Sequence, residues 1–208
     1  MDKTPAPRRL EAIAIGASAG GIEALGELLP ALPAGLPAAI AVVLHIAPSQ
    51  RSMLADIFAD RCALPVLEAS DKQPIEPGHV YFAPPDYHLL VESDRTWSLT
   101  QDEAVNFSRP SIDVLFDTAA DVYGEALLGI VLSGYNNDGS AGVHAIRRAG
   151  GVNWAQDPDT AFAPDMPRSA IATGAVDAVL PLARMAAAMA ALGRASAGEP
   201  ADKIQKEQ

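Results

Sequence analysis

The sequence predicts an α/β protein: a doubly wound, mostly parallel sheet in three α/β/α layers, with an antiparallel β-meander inserted midway. Three observations carry this. From about Leu10 to Ala195, short apolar runs alternate with segments of helical spacing, the order that builds parallel sheets. The first apolar run ends in a glycine-rich turn, Gly16 to Gly21, that opens a helix. Between His79 and Thr100 the rhythm breaks into three short β-type segments separated by turn signals. The 208 residues suit one domain with a full core, and the 49% apolar content is ordinary for one.

The elements follow in order. Ala12 to Ile15 is a buried strand that breaks at Gly16, and Ile22, Leu25, Leu28 and Leu29 carry the helix after it. Ala39 to Leu44 is a second strand, ending at His45. Ser49 to Arg61 has helical spacing, and Leu64 to Glu68 is a third short strand. His79–Ala83, Tyr87–Glu92 and Thr96–Thr100 form the predicted meander, and Asp102 to Arg109 is a loop. Ser111 is placed to cap a helix running to Gly124. Ala126–Leu132 is a strand, the loop SGYNNDG follows, and a helix runs from Ala141 to Ala149. Strands at Val152–Ala155 and Val176–Leu180 bracket a helix at Pro167–Thr173, and Pro181 opens the last helix. Residues 1–9 and 196–208 are polar and are expected to be mobile tails around a domain spanning 10–195.

Composition narrows the function. A net charge of −11 argues against nucleic acid or an anionic membrane as partner. No apolar run reaches the roughly 18 residues that span a bilayer, and the N-terminus lacks a signal peptide's apolar core. The single cysteine, Cys62, fits a reducing compartment, so a cytoplasmic protein without membrane insertion is expected. The histidines His79, His88 and His144 lack metal-ligand spacing, and neither metal nor organic cofactor is expected.

The opening turn admits two chemistries. Gly16-x-Ser18-x-Gly20 matches a serine nucleophile elbow, but glycine-rich strand–helix turns also cradle phosphates, as in short-chain dehydrogenases. The rest of the chain weighs against the dinucleotide. Such a site needs a carboxylate at the end of the second strand, where His45 stands, and no tyrosine begins Tyr-x-x-x-Lys. Ligand sites in open parallel sheets lie beyond the carboxyl ends of the strands. Three of those ends offer Ser18, His45 and Asp138, the parts of a nucleophilic triad. Asp138 alone would read equally well as a turn residue or a helix cap.

Six blocks carry a resemblance to a known family: IGASAGGIEAL (15–25), VVLHIAP (42–48), EPGHVYFAPPDYHL (76–89), RPSIDVLF (109–116), GIVLSGYNNDGSAG (129–142) and MPRSAIATG (166–174). In this order they resemble the catalytic domain of the CheB-type chemotaxis receptor-glutamate methylesterases. The resemblance implies a Ser18–His45–Asp138 triad and an oxyanion site from the backbone N–H groups of Ala19 and Tyr135. It also places His88 and Arg109 near the substrate rim, Arg109 either holding that rim or meeting an acidic helix. The implied substrate is a glutamate γ-methyl ester on a methyl-accepting chemotaxis receptor or related sensor, with glutamine deamidation as a companion reaction. A non-catalytic binding module in a signalling complex is the rival reading.

Two departures from the family pattern stand out. Asn136 replaces a usual glycine in the loop before Asp138, a position expected to tolerate positive φ, and Tyr135 precedes it with a bulk expected to narrow the site. Only nine residues precede the first strand, too few for the receiver domain that many members carry. Control would then fall to a separate regulator.

Overall fold

A computed structural model describes residues 4–46 and 52–196 of the chain. Its elements are β1 (Ala12–Ala17), α1 (Gly21–Leu28), β2 (Ala39–Leu44), α2 (Leu54–Ala59), β3 (Val66–Glu68), β4 (Val80–Phe82), β5 (His88–Val91), β6 (Trp97–Thr100), α3 (Ile112–Tyr123), β7 (Leu127–Val131), α4 (Ser140–Arg148), β8 (Val152–Gln156), α5 (Asp165–Ala172), β9 (Ala178–Leu180) and α6 (Leu182–Ser196). Seven strands form one sheet in the order β3-β4-β2-β1-β7-β8-β9, and every pairing in it is parallel. The chain leaves β1 for β2 on one side and later returns through β7 on the other. The crevice beyond the ends of β1, β2 and β7 is therefore the topological switch point.

Alternation along the strands sends side chains to two separate cores. Ile13, Ile15 and Ala17 of β1 join Leu25 and Leu28 of α1 and Met185 and Met189 of α6 on one face. Ala12 and Ala14 face Leu115, Phe116 and Ala119 of α3, Ile146 of α4 and the β5–β6 hairpin on the other. On this face β1 presents only small residues, and α3 approaches it closely. A Cβ on Gly16 would sit 2.4 Å from Cγ2 of Ile112, so only glycine lets the first turn of α3 press against the end of β1. Gly16 thus admits a neighbour without ending the strand, which runs on to Ala17.

The predicted three-segment meander is smaller than expected. β5 and β6 form an antiparallel hairpin, but β4 lies inside the parallel sheet between β2 and β3. Val80, Tyr81 and Phe82 are all fully buried, the mark of a strand covered on both faces. The turn signal after it, Pro84-Pro85-Asp86, closes a sheet strand rather than a hairpin. Residues 4–9 also depart from the expected free tail. The Trp154 indole N–H donates to Pro5 O at 2.7 Å, and Ala6 packs against the core. Residues 1–3, 197–208 and the start of the predicted second helix, 49–51, lie outside the described residues. Among the described residues no helix is long and apolar enough to cross a membrane.

Candidate active site

Backbone register brings the ends of three strands together. Ala17 of β1 pairs with Leu44 of β2, so Ser18 and His45 leave adjacent strands at the same level. The His45 N–H donates to Ala17 O at 3.0 Å, and the Ser18 N–H donates to Ser133 O, just past β7, at 2.9 Å. Ser18 is thereby held between the second strand's end and the loop that carries Asp138. Gly20, with φ 76, turns the chain into α1. Neither the Ala19 N–H nor the Tyr135 N–H has a hydrogen-bond partner among the described residues.

Asp138 is completely buried and densely hydrogen-bonded. Its Oδ2 accepts from His45 Nε2 at 2.9 Å and from the Ile112 N–H at 2.7 Å. Its Oδ1 accepts from Ser111 Oγ, Asn106 Nδ2 and the N–H groups of Asp113 and Gly139, at 2.9, 3.0, 3.1 and 3.1 Å. Burial alone would raise this carboxyl's pKa, but the bonds from His45, Ile112, Asn106 and Asp113 outweigh it and hold the pKa below the usual range. An ionised Asp138 fixes the imidazole proton on Nε2 and leaves Nδ1 as the basic nitrogen.

The helix cap expected from Ser111 is supplied by Asp138 instead. Ser111 makes no side-chain cap; its hydroxyl donates to Asp138, which itself receives the first two N–H groups of α3. Asp113, in the first turn of α3, returns the service: its Oδ1 accepts the Gly142 N–H of α4 at 2.7 Å. The two helix N-termini thus share two carboxylates, bridged by the Asn106 amide, which donates to Asp113 Oδ2 at 2.8 Å. Burial first, and then the neighbouring Asp138 charge, push the Asp113 carboxyl up.

The remaining nitrogen of His45, Nδ1, faces a serine that the sequence does not single out. Ser108 Oγ lies 3.5 Å away, and Asn136 Nδ2 donates to the same hydroxyl at 3.4 Å. No hydrogen bond joins Ser18 Oγ to His45 in this state. Catalytic bonds commonly tighten only when substrate is bound. Asn136 does not occupy the positive-φ region expected for it. Its Oδ1 accepts the Asp138 N–H at 3.1 Å, an Asx turn that a glycine could not make.

Two expected rim residues prove to be supports. His88 is 2% exposed: its Nε2 donates to Glu103 O and its Nδ1 accepts from the Ser111 N–H, each at 3.1 Å. It pins the 102–111 loop to β5 from a buried position. Arg109 spends its guanidinium on Asp86 Oδ1, at 3.0 and 2.6 Å, and on the carbonyls of Gln101 and Asp102. Of the two roles expected for it, holding the rim is the one this geometry serves. Tyr135 does not fill the site; its side chain is 63% exposed and meets the Phe162 ring edge-on at 6.5 Å. Asn106, Ser108, Asp113 and Ser133 are the site residues missed in the sequence. The first two sit in a stretch that reads as plain loop, and Ser111 is noticed only as a cap. An open groove of about 650 Å³ between α3 and α4 includes Asp113 and His144 but neither Ser18 nor His45. Among the described residues no three His, Cys, Asp or Glu side chains converge to hold a metal.

Comparison with known proteins agrees with this architecture. Residues 13–189 match the CheB methylesterase family. The crystal structure of the Thermotoga maritima CheB methylesterase catalytic domain superposes with a TM-score of 0.84 at 33% identity, covering 88% of this chain and 98% of that one. A Leptospira interrogans relative, provisionally named a protein-glutamate methylesterase/protein-glutamine glutaminase, is 48% identical over 85% of this chain and 91% of its own length. A protein of that name from Symbiobacterium thermophilum is 39% identical over 88% of this chain, which spans only 50% of it. The same holds for one from Anaeromyxobacter dehalogenans, 41% identical over 91% of this chain and 56% of its own. With a matching family, fold and strand-end chemistry, the chain belongs to the CheB methylesterase family.

Proposed function

We propose that the protein is a serine hydrolase that demethylates glutamate γ-methyl esters on a methyl-accepting receptor, releasing methanol, in the cytoplasm. The observation that carries this reading is the buried Asp138 carboxylate bonded at 2.9 Å to a half-buried His45, which leaves its strand level with a serine on the glycine turn of the adjacent strand. Ser18 Oγ attacks the ester carbonyl as His45 Nδ1 takes its proton. The oxyanion forms against the free N–H groups of Ala19 and Tyr135, a type of contact worth about 3–4 kcal/mol of barrier. His45 then passes the proton to the departing methoxide, and water enters by the same route to free the glutamate. Asp138 holds the ring and stabilises its charged form without itself accepting the proton.

Deamidation of glutamine uses the same acyl-enzyme, with ammonia leaving after protonation by His45. The relatives' shared name, methylesterase and glutaminase, supports both reactions. The side chains that bond to each other here need no cofactor for either step.

The test is methanol release from a methylated receptor fragment by wild type and Ser18→Ala. The variant should fold normally and lose several orders of magnitude of turnover, because the triad acts as a unit. Retention of more than about a tenth of wild-type turnover would remove Ser18 as nucleophile. A wild type without turnover would leave the non-catalytic binding module as the reading.

A further inference from the structure

We infer that two aromatic jaws, Phe107 on one side of the site and the Tyr135–Phe162 pair on the other, grip a surface helix of the substrate protein around the esterified glutamate. This rests on the functional reading above and specifies how that site takes a protein.

Phe107 is the most conspicuous misfit in the chain. It is fully exposed, and with φ 61 it occupies left-handed backbone that a bulky side chain disfavours. It follows Asn106, at φ 50, in a tight turn closed by reciprocal Val105–Ser108 hydrogen bonds of 3.1 and 2.9 Å. Asparagine or glycine would suit Phe107's position; a phenyl ring there adds strain and exposes apolar surface. The turn is not remote from the chemistry. Its Asn106 donates to Asp138 and its Ser108 faces His45 Nδ1, so Phe107 sits in the chain between two residues of the site.

The other jaw stands on the nucleophile's side. Phe162 is 73% exposed, and a Cβ on Gly20 would lie 2.6 Å from its Cβ, which seats the ring over the turn that holds Ser18. Tyr135 packs edge-on against it. Aromatic residues, phenylalanine included, are enriched at protein–protein interfaces.

The sheet topology selects a helix as the occupant. An extended substrate segment would dock by adding a strand to a sheet edge. Here β1 and β2 are interior strands, and the parallel sheet's edges, β3 and β9, lie at its two ends, away from Ser18. The β5–β6 hairpin is flanked by the 72–75 segment, which exchanges backbone bonds with Trp97, and by Thr118 of α3, which accepts the Val91 N–H. Side-chain anchoring remains. A helix offers it by presenting apolar neighbours three and four residues to either side of the glutamate on the same face.

The experiment compares two substrates, a methylated receptor fragment and N-acetylglutamate γ-methyl ester amide, with wild type, Phe107→Asn and Phe162→Ala. Each variant should lose about tenfold in kcat/KM on the protein, mainly through KM, and keep its rate on the small ester. Phe107→Asn, which suits the left-handed backbone, should melt no lower than wild type. Protein turnover within about twofold of wild type in both variants, or an equal fall on both substrates, would overturn the jaws. A wild type that hydrolyses neither substrate would instead remove the functional reading beneath them.

Discussion

Replacing Asp138 by asparagine should damage stability and catalysis together, because one carboxylate orients the proposed base, His45, and caps a distant helix. The asparagine carbonyl can keep the four donors that Oδ1 holds: Ser111, Asn106, Asp113 N and Gly139 N. Its NH₂ must then face the two donors now served by Oδ2, Ile112 N and His45 Nε2, at 2.7 and 2.9 Å. The Ile112 N–H is left buried without an acceptor, at about 1–3 kcal/mol. Losing a negative charge at the N-terminus of α3 adds up to about 1 kcal/mol. At roughly 2–4 °C per kcal/mol for a domain of this size, the melting temperature should fall by about 2–16 °C.

His45 escapes the clash by moving its proton to Nδ1, which removes the base; the same change in serine proteases costs about 10⁴ in rate. Acidity supplies a further check. The folded pKa of Asp138 is depressed, so its stabilisation is complete above the unfolded carboxylate value of about 3.9 and disappears as pH falls through the folded value. The stability gap between wild type and Asp138→Asn should therefore narrow below about pH 4. Thermal melts across pH and methanol release measure both effects. A melting temperature within about 1 °C of wild type at pH 7 would refute the capping role, and an unchanged rate would refute the orienting one.

Two further changes probe the scaffold around the site. Arg109→Ala removes bonds to Asp86, Gln101 O and Asp102 O, and should cost about 1–3 kcal/mol while exposing residues 101–108 to limited proteolysis. Arg109→Lys should recover little, since it lacks the guanidinium fork; full recovery would show that charge alone holds the loop. Gly134→Ala places a Cβ against Met166 Sδ and 2.9 Å from Ser18 Cβ, so it should displace the proposed nucleophile and lower turnover at least about tenfold. A normal rate in that variant would show that the fully buried Met166 can give way.

How much of this was readable depends on whether an interaction is local. Strand positions and the parallel order follow from apolar runs and their alternation with helices, and the three strand-end residues follow from the rule about carboxyl ends. The place of β4 does not: Val80-Tyr81-Phe82 has the composition of either strand type, and only pairing with Ile40 to Val42 decides it. The supports of Asp138 are equally non-local. Asn106 and Ser111 lie 32 and 27 residues away in sequence, in a loop and at a cap, and nothing in their own surroundings advertises a buried carboxylate. His88 misleads for the same reason, since its two partners, Glu103 O and Ser111 N, are backbone groups that no side-chain pattern records.

That non-locality explains why Asn136 can stand where the family pattern is expected to carry glycine. A loop that derived its shape from its own turn would demand the flexible residue, but this one is held from outside. Ser133 ties it to Ala19 O at 2.6 Å and to the Ala163 N–H at 2.8 Å, and Asp138 anchors its far end to α3. With both ends fixed, the residue between them is free of any positive-φ requirement. Its side chain can then be used, once on the Asp138 N–H and once on Ser108 beside the base. The cross-capped helices therefore do more than stiffen the fold: they carry the backbone constraint of the active-site loop and leave its side chains open to variation.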